Sequence, residues 1–144
     1  MTSILKRRSS GLWFSLFLIA GCGSSGPAGP TSDFISVTSI VPADGTTLMV
    51  GDRVTFTAVV TCTIVNSDGG FAAMVIQDQR NISLLDPGET PLRAALTRGT
   101  TTVTLSHTIT IPESGSTTVR VLFPIFFNES SSTRAVAVRN YTVR

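Results

Sequence analysis

Apolar and hydroxylated residues alternate along most of this chain, most clearly from Arg53 to Val65. Val54, Phe56, Ala58, Val60, Cys62 and Ile64 fall on one face, and Thr55, Thr57, Thr61 and Thr63 on the other. A period of two puts successive side chains on opposite faces of an extended strand, so one face predicts core and the other solvent. A second run, Thr102 to Ile111, sets Val103, Leu105, His107, Ile109 and Ile111 against Thr102, Thr104, Ser106, Thr108 and Thr110, and Pro112 ends it. Phe34 to Val41, Phe71 to Asp78, Ile82 to Leu85, Thr117 to Phe127 and Thr133 to Val143 read as further strands. Asp68-Gly69-Gly70 and Asp86-Pro87-Gly88 supply turns between them. No stretch keeps helical spacing, and Pro91 to Leu96 is expected to form a turn. In the last strand Val136 and Val138 fall opposite Tyr141 and Val143, so a bulge near Arg139 and Asn140 is expected to bring all four onto the core side. About seven short antiparallel strands with turns at these intervals predict an all-β fold, a single two-sheet sandwich over 34–144.

The first residues break this pattern. A basic start ending in Lys6, Arg7 and Arg8 leads into an apolar run from Leu12 to Ala20 and then to Gly21 and Cys22. That is the layout of a secretory signal peptide, expected over 1–21. The apolar run is about nine residues, whereas a membrane-spanning helix needs roughly 20, so it directs export without anchoring the chain. Leu18-Ile19-Ala20-Gly21-Cys22 resembles the lipobox of bacterial lipoproteins. The resemblance implies cleavage before Cys22, a diacylglyceryl group on its sulfur and acylation of the new amine. A single acyl chain holds a protein to a membrane only reversibly, and two or more hold it stably. Gly23 stands where an aspartate would mark inner-membrane retention, so the class implies outer-membrane sorting in a cell with two membranes. Residues 22–33 then form the acylated cysteine and a tether. Gly23 to Ser32 is small, uncharged and punctuated by Pro27 and Pro30, with an expected span on the order of 15–20 Å. Were Cys22 not acylated, the oxidising exported compartment would open a Cys22–Cys62 disulfide instead.

The body carries a second resemblance. Val41-Pro42-Ala43-Asp44-Gly45, then Val50-Gly51-Asp52 before a long Thr-rich strand, and the closing Asn140-Tyr141-Thr142-Val143 are similar to phrases in the immunoglobulin-like and fibronectin type III-like modules of exported bacterial proteins. The similarity runs from Val37 to Val143 and implies an immunoglobulin-like β-sandwich. The sequence departs from antibody domains in two respects. Cys62 occupies the second-strand core position with no later cysteine to pair with it, and Trp13 lies in the export segment. The sandwich is therefore expected to hold by packing alone.

Charge and reactive residues narrow the function. The net charge of +2 includes Lys6, Arg7 and Arg8; without them eight arginines face nine acids and no lysine remains. Such a body lacks the clustered positive charge that nucleic acid requires. His107 is the single histidine, too few for a transition-metal site, and Cys62 sits among apolar neighbours as an unreactive thiol. No Gly-x-Ser-x-Gly elbow presents a nucleophile. Asp44, Asp52, Asp68, Asp78, Asp86 and Glu89 read as turn residues, since no compact Asp-x-Asp run offers calcium its six to eight oxygens. No catalytic residue, cofactor or metal is expected. The sequons at Asn81, Asn128 and Asn140 have no role in a bacterial export path.

One oddity remains in Val121 to Phe127, VLFPIFF, where both strand faces are apolar and Pro124 interrupts the ladder. Pro124, Phe126 and Phe127 are candidate contacts for a partner or for lipid. In an immunoglobulin-like order the loops 66–70, 86–99 and 126–132 gather at the end where the amino terminus enters, so these rings are expected to face the anchoring membrane. The expected function is that of a lipid-anchored, non-enzymatic protein of the bacterial envelope acting in binding, adhesion or spacing, with an envelope protein or glycan as partner. Two alternatives stand beside it. One is an accessory or chaperone-like subunit that pairs a sheet edge with a client strand; the other is a small envelope hydrolase using His107 with a carboxylate.

Overall fold

A computed structural model of the chain describes residues 31–113, 115–127 and 133–144. The export segment, Cys22, most of the tether and the Asn128 sequon lie outside the described residues. Six strands follow in order: β1 (Phe34–Val41), β2 (Thr47–Leu48), β3 (Arg53–Asp78), β4 (Leu92–Thr110), β5 (Thr118–Phe126) and β6 (Ala135–Val143).

β3, at 26 residues, serves two sheets. Its pairing with β4 shifts register between Ile64 and Gly69, where the strand bends. Before the bend it runs between β1 and the second half of β4; after it, between the first half of β4 and β5. β6 follows β5, and the short β2 lies parallel to the end of β6. The two sheets face each other, and Phe56 from the first meets Tyr141 from the second edge to face, ring centroids 5.0 Å apart. The fold is an all-β immunoglobulin-like sandwich, and β2–β6 is the parallel exception to its antiparallel pairing. The bend depends on glycine, because a Cβ at Gly69 would stand 2.7 Å from the Leu96 carbonyl oxygen and one at Gly70 would overlap that of Phe126.

The alternation in β3 does what its period dictates: Phe56, Ala58, Val60, Cys62 and Ile64 are buried. Ala72, Met74 and Ile76 meet them from the other sheet, with Val119, Val121, Phe123 and Ile125 of β5. Several expectations are corrected. Asp68-Gly69-Gly70 is not a turn between two strands but part of the bend inside the continuous β3. Residues 82–85 form no strand, only a bridge between Gln77 and Ser83. The expected turn from Pro91 to Leu96 is instead the first half of β4, pairing Leu92–Thr97 with Met74–Gly69. Pro91 stands at the mouth of an edge strand, where a missing N–H costs the ladder nothing. Finally, β6 contains no bulge, since its register with β5 runs unbroken from Thr118–Thr142 to Ile125–Ala135. Ala135, Ala137 and Arg139 share the inward row with Tyr141 and Val143, while Val136 and Val138 point outward onto a surface that is itself apolar.

The amino-terminal end of the body is tied down by Asp33, whose Oδ1 accepts N–H bonds from Val65 (2.8 Å) and Asn66 (3.3 Å). That end therefore gathers the start of β1, the 65–70 bend, Gly99, the end of β5 and the start of β6. The opposite end holds 42–52, 110–113 and 115–117, laced by Gly51 N–H to Ile111 O at 3.0 Å. Residues 86–91 do not join the amino-terminal cluster as expected. They lie along the flank of β4, with Glu89 against His107.

Candidate functional site

β5 turns Phe123 and Ile125 into the core, so strict alternation turns Leu122, Pro124 and Phe126 onto the outer face of the second sheet. There they join Val75, Gln77, Thr133 and Val136 around a groove of about 340 Å³. Pro124 is buried in it, Phe126 is half-buried, and Val136 on its rim is 49% exposed. Phe126 packs on Phe71 at 5.5 Å, and the Arg93 guanidinium stacks 4.8 Å above the Phe71 ring. Pro124 also breaks the β3–β5 ladder, which has no pairs at Ala73 and Met74 between Ala72–Ile125 and Val75–Leu122. Phe127 points the other way: it is half-buried against the core, with Arg134 4.8 Å over its ring. Of the three expected contact residues, Pro124 and Phe126 thus share one groove and Phe127 does not.

A second, polar hollow of about 410 Å³ lies on the flank of β4, lined by Arg53, Asp86, Glu89 and residues 106–110. His107 sits on the inward row opposite Phe56. Its side chain is 15% exposed, and its Nε2 pairs with Glu89 Oε2 at 3.0 Å. Glu89, 18 residues away in a loop, carries no spacing signal that would reveal this partner. The flanking hydroxyls serve the sheet: Ser106 bonds Thr57 at 2.8 Å, and Thr108 bonds Thr55 at 2.7 Å.

Several other polar groups hold loops and strand ends in place. Asp78, 1% exposed, accepts N–H bonds from Arg80 (2.8 Å) and Ile82 (2.9 Å) and holds the Arg80 guanidinium at 2.9 Å. Burial pushes its carboxyl upward, but these hydrogen bonds and the Arg80 charge prevail and leave it below its ordinary value. The clamp therefore stabilises the fold at neutral pH and is lost as acid takes the pH down through that lowered value. Alternation hides it in sequence, because Asp78 ends an inward row of Ala72, Met74 and Ile76. Cys62 is free and buried, and burial pushes its thiol up to about 11, which leaves it protonated and inert. The Tyr141 hydroxyl donates to Pro42 O at 2.8 Å. Asp44 receives the Asn140 N–H at 3.0 Å and faces Arg139 at 3.8 Å. Among the described residues no group of three His, Cys, Asp or Glu side chains is arranged to hold a metal, and no helix is long and apolar enough to cross a membrane.

No family model matches the chain, and no curated protein matches it. Among solved structures it is similar to the CARDB domain of a Pyrococcus furiosus protein, crystallised in complex with di-metal ions. The two are 11% identical, with a TM-score of 0.45 over 78% of this chain and 90% of that domain.

Proposed function

We propose that the chain is a lipid-anchored, non-enzymatic module of the bacterial cell envelope, held through Cys22 and acting by binding or spacing. The observation that carries this reading is the position of Asp33. Bonded to Val65 and Asn66, Asp33 lies at the end of the sandwich where β5 finishes at Phe126, which supports a tether leaving from that end. A lipid on Cys22, about ten residues upstream, would keep that end and its apolar groove within the tether's span of the membrane. The hydrolase reading is less well supported. His107 has its carboxylate, but the flanking hydroxyls of Ser106 and Thr108 are bonded to β3 on the other face of the sheet. A client strand would find β6 closed at Asn140 by Asp44 and Gly45, and on the open β4 edge no charge between Gly99 and Ser106 to match its own.

Intact mass of the membrane-extracted protein tests the anchor. The expected species begins at Cys22 and carries the added mass of a diacylglyceryl group and an amide-linked acyl chain. A protein with an unmodified amino terminus ends the proposal. Orientation is tested with Cys22→Ser protein and phosphatidylethanolamine–phosphatidylglycerol vesicles, where Phe126→Ser is expected to reduce co-sedimentation and an unchanged bound fraction removes the groove from the account.

A further inference from the structure

The strand edges of this sandwich are not treated alike. β1 is interrupted by a register shift between Val37 and Ser39, and Arg139 Nη2 donates to its Val37 carbonyl at 3.4 Å. On β6, Asn140 is occupied on both sides of its peptide, its N–H by Asp44 (3.0 Å) and its carbonyl by Gly45 N–H (3.1 Å). Arg139 takes the Val138 carbonyl at 2.8 Å, and β2 covers Thr142 and Val143. β4 pairs with β3 alone, in unbroken register from Gly99–Ile64 to Thr110–Arg53.

The free groups on that edge follow from the ladder. Ile111 donates its N–H to Asp52 O at 2.9 Å, on the β3 side. In an antiparallel pair alternate residues bond to the same neighbour, so Thr100, Thr102, Thr104, Ser106, Thr108 and Thr110 turn both N–H and C=O away from β3. Proteins blunt open edges with lysine, proline, bulges or a covering loop. Between Gly99 and Ser106 there is no charge and no proline, and Thr100, Thr102, Thr104 and Ser106 are exposed. Cover arrives only at His107, where the 86–89 loop closes the polar hollow.

We propose that this edge is a self-association site, on which a second copy of the chain adds its own β4 antiparallel about a two-fold axis, joining Thr100–Ser106 of each. Self-pairing suits the edge because the sequence Thr-Thr-Thr-Val-Thr-Leu-Ser is neutral throughout. Reversed upon itself it opposes hydroxyls to hydroxyls and buries no charge, whereas a charged client strand would find no counter-charge. The same face already links hydroxyls across three strands, Thr38 to Thr61 at 3.2 Å and Thr61 to Thr102 at 3.3 Å, and the second copy continues that row. Glu89, clasped to His107 at 3.0 Å, stands where pairing would run beyond Ser106 and so limits the register. A two-fold contact of this kind closes on itself and yields a dimer instead of a fibre. The inference stands apart from the acylation of Cys22.

Sedimentation equilibrium of the full chain in detergent solution tests it, with three variants. Thr102→Pro deletes an outward N–H and spares the β3 ladder, Thr104→Lys sets a charge on the exposed edge, and Phe126→Ser alters the groove instead. The wild type and Phe126→Ser are expected to dimerise alike. Thr102→Pro and Thr104→Lys should each raise the dimer dissociation constant by at least about tenfold with little change in melting midpoint. A wild type that stays monomeric at every concentration, or a Thr104→Lys protein that dimerises like the wild type, overturns the proposal. So does loss of the dimer in Phe126→Ser alone. If Thr102→Pro fails to fold, the exposed Thr104→Lys substitution decides.

Discussion

The two sheets share one interior but wear different outer faces. On the first, Thr55, Thr57, Thr61 and Thr63 of β3 bond hydroxyl to hydroxyl with Thr108, Ser106, Thr102 and Thr100 of β4, at 2.7 to 3.3 Å. On the second, the equivalent surface holds Phe71, Val75, Leu122, Pro124, Phe126 and Val136. The inward rows are apolar in both sheets and determine the sandwich, while the outward rows are free to differ and set what each surface can bind. Hydroxyl rows satisfy one another and water. The apolar rows leave a groove that only partly fills itself.

The largest test of that distinction sets an inner ring against an outer one. Phe56 is fully buried against Tyr141, and Phe56→Ala should cost about 3–5 kcal/mol in urea denaturation, from lost transfer energy and the cavity left behind. Phe126→Ala, on the half-buried outer face, should cost about 1 kcal/mol or less beyond its contact with Phe71. Equal losses would mean that the second sheet's outer face belongs to the core.

Next in size is the bend that lets one strand present both faces. A Cβ at Gly70 meets the backbone carbonyl of Phe126, which has no flexible end to yield, so Gly70→Ala should lower stability by about 1–3 kcal/mol. Gly45, with open space around its Cβ position but a φ of +79°, should tolerate alanine better. Thermal melts of the two variants rank them, and a milder loss at Gly70 would show that β3 is not pinned against β5 there.

The difference between the faces also explains what could be read from sequence. Where the outer row is mostly threonine, as from Thr55 to Thr63 with Val59 the exception, period two separates inside from outside, and the first half of β3 and the second half of β4 fall as their pattern predicts. Where both rows are apolar the pattern is mute. Val136 and Val138 resembled core residues that needed a bulge, yet they face outward beside Leu122 and Pro124. VLFPIFF likewise gave no sign that Phe126 and Phe127 part company. The first half of β4 was hidden by Pro91 and by only two inward residues, Ala94 and Leu96. The His107–Glu89 pair and the Asp78 clamp were invisible because their partners come from loops whose course no periodicity records.

A smaller effect tests how the two sheets are joined at their far end. Tyr141 packs on Phe56 and donates its hydroxyl to Pro42 O, so Tyr141→Phe should cost about 1 kcal/mol. Burial, and secondarily the Asp44 charge, push the Tyr141 hydroxyl up to about 12 from an ordinary value of 10.0. A group whose folded value is raised holds its proton more tightly in the native state. Its contribution is therefore complete below pH 10 and drains away as the pH climbs towards 12. The Phe variant should lack that alkaline decline, and wild-type and variant curves that run parallel from pH 9 to 12 would remove the hydroxyl from the balance.

The smallest expected effect bears most directly on the hydroxyl face. Thr57→Val removes one partner of the 2.8 Å contact with Ser106, but Ser106 is exposed and can turn to water. Valine keeps the β-branched shape that a strand accommodates. The two effects oppose each other, so stability should stay within about 0.5 kcal/mol of wild type. A loss well above that would make the hydroxyl rows a structural brace, cooperative across β1, β3 and β4. A null result leaves them as a neutral, water-compatible surface whose uncharged edge is available for pairing. The contrast with Val136→Thr, which should be equally silent in stability but should weaken whatever the apolar groove binds, then separates the two faces by function where folding energy cannot.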